Sequence, residues 1–197
     1  MRAYLIVAWL FVGLAGVIYH LGPGRDLAEL DTLDQAVQEA RQCVASNDWS
    51  TAIDRYDDAL TKIPPERAND SRQIVLEKAK AQMMAKQLPA ARETLDQLFR
   101  ELLADKNVDP QFLSDVESAL ASSQYYMTWL MRLEGLPKEE WLPEIEASRQ
   151  HYWQVTERAR ELDNALAMSQ GREDLEAAVR LARMDLNELQ SLPLPSQ

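Results

Sequence analysis

From Leu27 to the C-terminal end, apolar residues recur at intervals of three and four, and no useful stretch alternates apolar with polar side chains. That spacing follows the 3.6-residue period of a helix rather than the two-residue period of a strand. Six glycines and nine prolines in 197 residues are too few for a loop-rich β protein. The expected fold is therefore all-α. Leu27, Leu30, Leu33, Val37, Ala40 and Val44 mark the first body helix, and Asn47-Asp48 breaks it and caps the next. Pro64-Pro65 ends the second helix, a third covers Ile74 to Lys86, and a fourth runs from about Ala90 to Ala104. Asp109-Pro110 has the form of an N-cap and first helical residue. The fifth helix that it opens ends at Glu134, where Gly135 supplies a left-handed cap and Leu136 folds back on Met131. A sixth helix is expected over Lys138 to Met168, with Gly171 separating it from a seventh over Glu173 to Gln190. Residues 192–197 form a frayed tail.

Ahead of this body, Ala3 to Leu21 carry no Asp, Glu, Lys or Arg. As a helix this run spans roughly 28 Å, close to the hydrocarbon thickness of a bilayer. Tyr4 near one end, and Tyr19 and His20 near the other, suit the headgroup boundary. A single-pass transmembrane helix over residues 3–21 is expected, with Gly22-Pro23-Gly24 stopping it. A cleaved signal peptide, cut after Ala15, is the rival; the apolar run continues through Val17, Ile18 and Leu21, beyond a usual signal core. Arg2 and the amino terminus precede the span, and Arg25 is soon followed by acids. Counting Lys and Arg places the amino terminus in the cytoplasm and residues 25–197 outside, on the periplasmic side in a bacterium. The expected organisation is an anchor and exit turn at 1–24, helical hairpins at 25–108, longer hairpins at 109–191 and the tail.

The stretch from Asn47 to Pro64 resembles the second half of a tetratricopeptide repeat. Trp49, Ala52, Tyr56, Ala59 and Pro64 occupy that family's aromatic, small, aromatic, small and proline places in order. Small side chains let helices cross closely while aromatics fill the space beside them. Ala40 takes the small place in the preceding helix, where Ala36, Glu39 and Asn47 depart from the pattern. A second unit follows thirty-nine residues later, from Ala52 to Ala91, with Leu88, Leu95 and Leu98 in matching places and Ala79 upstream. The resemblance implies an α-solenoid of antiparallel helix pairs over residues 33–105. The longer helices of 110–190 leave room to close as a bundle at the C-terminal end.

Chemistry is sparse. The net charge is −11, and since only Arg2 is charged in the first 21 residues the remainder carries −12. Such a surface repels phosphate backbones, which argues against nucleic acid as a partner. One cysteine, Cys43, excludes an intrachain disulfide and a cysteine zinc cluster. His151 has Ala147, Ser148, Gln154 and Val155 as its helical neighbours, none of them a metal ligand. The glycines never form a phosphate-binding loop. No catalytic, cofactor-binding or metal-ligating residues are expected, and no enzyme. Two acidic groups, Asp54, Asp57 and Asp58 and then Glu139, Glu140, Glu144 and Glu146, suit a solvated helix face and a helix start, or a docking patch for a cationic segment.

Tyr125, Trp129, Arg132 and Trp141 carry the strongest recognition signal. Apolar groups cover more than one stripe of the fifth helix, which carries the first three, so the group suits either a core between hairpins or an aromatic and arginine interface of hot-spot type. The expected function is a membrane-anchored helical-repeat adaptor, binding other proteins near the bilayer without catalysis. A structural subunit permanently buried in a membrane-associated complex is the alternative. The resemblance implies kinship of architecture with single-span tetratricopeptide proteins of envelope assembly, and with repeat subunits that accompany von Willebrand A domain and MoxR-type systems.

Overall fold

The computed structural model describes residues 23–191, with side chains from 32 to 190. Among them are eight α-helices: α1 (Pro23–Ala45), α2 (Trp49–Lys62), α3 (Ala68–Met84), α4 (Leu88–Ala104), α5 (Pro110–Leu133), α6 (Lys138–Glu161), α7 (Ala165–Arg183) and α8 (Leu186–Ser191). A 3-10 turn at Pro65–Arg67 links α2 to α3, and no strand occurs among the described residues. No described helix is long and apolar enough to cross a membrane. The expected span at residues 3–21, the cleavage point after Ala15 and the tail at 192–197 lie outside the described residues.

Four helices close in the same way. Asn47, Lys86, Gly135 and Asp163 adopt positive φ just past the ends of α1, α3, α5 and α6. The following amide then reaches back to a carbonyl in the last turn: Asp48 N to Cys43 O, Gln87 N to Gln82 O, Leu136 N to Met131 O and Asn164 N to Ala159 O, each 2.8–2.9 Å. This left-handed closure satisfies orphan carbonyls and reverses the chain within a few residues. Side chains complete the entries. Asp48 accepts from Thr51 N, Asp109 from Gln111 N and Asn164 from Ala167 N.

The described residues fall into two compact units, one ending at Ile74 and the other starting at Val75. This division falls within α3, upstream of the boundary expected at 108. In the first unit α1 packs on α2, and Leu33, Ala36, Ala40, Ala52, Ile53, Tyr56 and Ala59 are buried. In the second, each helix packs on the next from α4 to α7, and α8 returns to α5. One core gathers Leu76, Ala79, Leu95, Leu98, Phe99 and Leu102 with Val116 and Leu120 of α5. The other gathers Ala121 and Trp129 with Trp141, Ile145 and Tyr152 of α6, Ala178 and Leu181 of α7, and Leu189 of α8. The small residues singled out by spacing, Ala40, Ala52, Ala59, Ala79 and Ala91, are all fully buried.

Two boundaries differ from those expected. The first body helix, expected from Leu27, starts at Pro23, since proline is tolerated where helical amides lack partners. Gly171 lies inside α7, and the break between α6 and α7 comes at Leu162–Asn164, where Asp163 turns left-handed. Glycine is needed at 171 for closeness rather than for a turn. A Cβ there would stand 2.5 Å from Thr156 Oγ1 on α6. Gly171→Ala is expected to lower stability by about 1–3 kcal/mol through overpacking. Urea denaturation should show a smaller loss in a Thr156→Ala background; equal losses in both backgrounds would refute this contact as the cause.

Candidate functional site

The four residues singled out in the sequence meet inside the second unit. Trp129, Arg132 and Trp141 are 7–9% exposed, and Tyr125 is half-buried. The Arg132 guanidinium stacks on Trp141, 4.7 Å from the ring centroid. Its Nη1 donates to Leu181 O and its Nη2 to Met184 O, the carbonyls that end α7. A cation is favoured there because the last carbonyls of a helix lack amide partners and carry the negative end of its dipole. Burial pulls the Arg132 pKa below its ordinary value, while Asp185 works in the opposite direction. Tyr125 meets Tyr126 and Trp129 edge to face at 5.4 and 6.2 Å. Burial raises its phenol pKa, with Tyr126 adding to the shift. Between core and interface, this geometry favours core.

The acidic groups are partly paired. Asp58 meets Lys62 at 3.2 Å, Glu146 meets Arg149 at 2.8 Å, and Glu144 meets Arg92 of α4 at 2.8 Å.

A different arrangement lies between α4 and α6, backed by α5. Glu117, in the third turn of α5, is fully buried. Its Oε1 lies 2.9 Å from His151 Nδ1, and its Oε2 accepts from Arg158 Nη1 at 2.7 Å. Arg158 Nη1 also donates to Ser114 Oγ at 3.1 Å. Paired with Arg158, Glu117 acts as the acceptor and His151 Nδ1 as the donor, leaving Nε2 of the ring unengaged by Glu117. Phe99 of α4 packs edge-on against the imidazole, with centroids 5.2 Å apart. The carboxylate thereby fixes the two side chains above it, which keep 19% and 20% of their surfaces open.

Above this triad opens a groove of about 530 Å³. Phe99 and Leu103 form its α4 wall, while His151, Trp153, Glu157 and Glu161 belong to its α6 wall. Leu103 is 60% exposed and Trp153 53%. No serine, threonine or cysteine lines the groove, and no cluster of three metal-ligating side chains occurs among the described residues. What the groove offers is apolar surface beside a rigidly held polar floor, an arrangement suited to noncovalent recognition. Sequence reasoning missed Glu117. The available signal was a carboxylate within the stripe Leu113, Val116, Leu120, with His151 and Arg158 two turns apart on another helix. No protein-family model matches the chain, and no curated protein matches it.

Glu117→Ala is expected to cost about 3–5 kcal/mol, because it leaves Arg158 without its buried counter-charge. Arg132→Lys is expected to cost about 2–4 kcal/mol, since a lysine cannot span two carbonyls and stack on Trp141 together. Chemical denaturation measures both; an unchanged midpoint for either variant would show that the contact contributes nothing.

Proposed function

We propose that the chain is a membrane-anchored adaptor of the helical-repeat kind, tethered through residues 3–21 and binding other proteins without catalysis. The observation that carries this reading is the α4–α6 groove, whose two most exposed large apolar side chains face solvent beside a charge-buttressed floor. The succession of helix pairs closed by similar left-handed turns is in keeping with a tetratricopeptide-like solenoid, and the small residues at the expected crossing points add to it. The binding role passes from Tyr125, Trp129, Arg132 and Trp141 to Leu103, Trp153 and their neighbours, because Trp129, Arg132 and Trp141 are buried and Tyr125 packs against Trp129. The low charge of residues 3–21 supports the anchor, and a tether raises the local concentration of whatever the groove holds.

A permanently buried subunit is the second reading. Leu162, Leu166 and Leu186 are exposed around α7 and favour it. The test is crosslinking of the tagged full chain in native membranes, followed by mass spectrometry. An adaptor should yield a small reproducible partner set that is depleted by Leu103→Ser and Trp153→Ala but retained by Asp58→Asn. A stoichiometric complex that survives detergent extraction and ignores both groove variants would favour the buried subunit. No partner above background would sink both readings.

A further inference from the structure

Trp153, Glu157 and Glu161 stand at successive four-residue intervals on α6, so they form one stripe along the groove wall. An exposed indole face attracts ammonium and guanidinium groups, and the two carboxylates continue the same preference down the helix. Across the groove, α4 contributes Phe99 and Leu103 and no charge to the wall. The two arginines interleaved with the stripe in sequence are already engaged. Arg158 is held inward by Glu117, and Arg160 pairs with Glu157 at 2.5 Å. Of these two pairs, that of Arg160 is the more exposed, with Glu157 still one-third open, and such a pair is weak enough for an incoming cation to replace. The chain's net charge of −11 draws cationic segments and repels acidic ones.

We propose that this groove takes an amphipathic segment of a partner protein in which an apolar anchor is flanked by lysine or arginine. The anchor fills the space between Leu103 and Trp153, and the basic residues lie over the indole face and against Glu157 and Glu161. Gln150 and Gln154, one turn apart on the same wall, offer amides to the segment's polar groups. The inference rests on the adaptor reading and adds the chemistry of the partner.

The probe is a short acetylated leucine–lysine peptide with leucines at helical spacing, one of them photoreactive, incubated with the full chain. Crosslinks are expected on α4 and α6 around Leu103 and Trp153. Their yield should fall about tenfold in Trp153→Ala and in the double variant Glu157→Gln/Glu161→Gln, the scale of a hot-spot loss. The double variant Asp54→Asn/Asp58→Asn removes equal charge elsewhere and should leave the yield unchanged. Circular dichroism checks that these surface variants stay folded. Crosslinks spread over other helices, equal loss in the control variant, or equal labelling by the leucine–glutamate twin would each overturn the proposal. A partner set that depends on Leu103 and Trp153 in membranes, without basic-peptide labelling, would retain the adaptor and discard the cationic segment.

Discussion

A carboxylate with no solvent contact is tolerable only when its partners are held in place. Glu117 is such a group, and it sits on α5, the helix that packs against both α4 and α6. Removing an ionised carboxylate from water costs several kcal/mol even after relaxation, so the fold is favourable only when Arg158 and His151 arrive together. Both partners lie on α6, and His151 in turn meets Phe99 of α4. One buried charge thus couples the register of three helices. A helix slid by one turn would strand Glu117 without its donors, an error far more costly than misplacing a leucine. The groove is a consequence, because the side chains that satisfy Glu117 are the ones that floor it.

The α5–α7 end of the unit is fixed by hydrogen bonds to backbone and between hydroxyls rather than by pairing of opposite charges. Ser148 Oγ donates to Ala121 O at 2.8 Å, joining α6 to α5 through a fully buried hydroxyl. The Tyr152 hydroxyl meets Ser122 Oγ at 3.0 Å, and burial raises its pKa above that of an ordinary phenol. Arg132 ties the end of α7 to α5. Such bonds need close approach, which explains why Ala121 and Gly171 stand where larger side chains would push the helices apart. Apolar packing alone tolerates sliding; a hydroxyl that must reach one particular carbonyl does not.

The elements that depend on neighbours in sequence were legible there. Asp48 and Asp109 announce themselves as caps, Gly135 as a left-handed closure, and the alanines at 40, 52, 59, 79 and 91 as crossing points. The turns at Lys86 and Asp163 were less legible, because neither residue has glycine's conformational freedom; both are exposed, and the local bonds Gln87 N to Gln82 O and Asn164 N to Ala159 O accompany their positive φ. Gly171 was misassigned for the same reason in reverse: a glycine suited to a helix end can equally admit a neighbouring helix. Trp129 and Arg132 show the limit most clearly. An aromatic and arginine stripe has the same spacing whether it faces solvent or core, and only the arrival of α7 decides which. Glu117 was hidden because its partners lie 34 and 41 residues away on another helix.

Single exposed leucines or tryptophans need no explanation, since much of any protein surface is apolar. Leu103 and Trp153 differ because they border one groove whose floor already holds the pairing of Glu117 with His151 and Arg158. A segment entering there sheds apolar surface from water without breaking the pairing of Glu117, so its principal costs are its own ordering and the displacement of Arg160. The contact remains small, however, and a groove of this size favours weak, exchangeable binding over a permanent interface. Weak binding becomes effective when both partners are confined. An apolar run at residues 3–21 would provide that confinement, converting a low intrinsic affinity into high occupancy at a membrane surface while leaving the complex quick to dissociate.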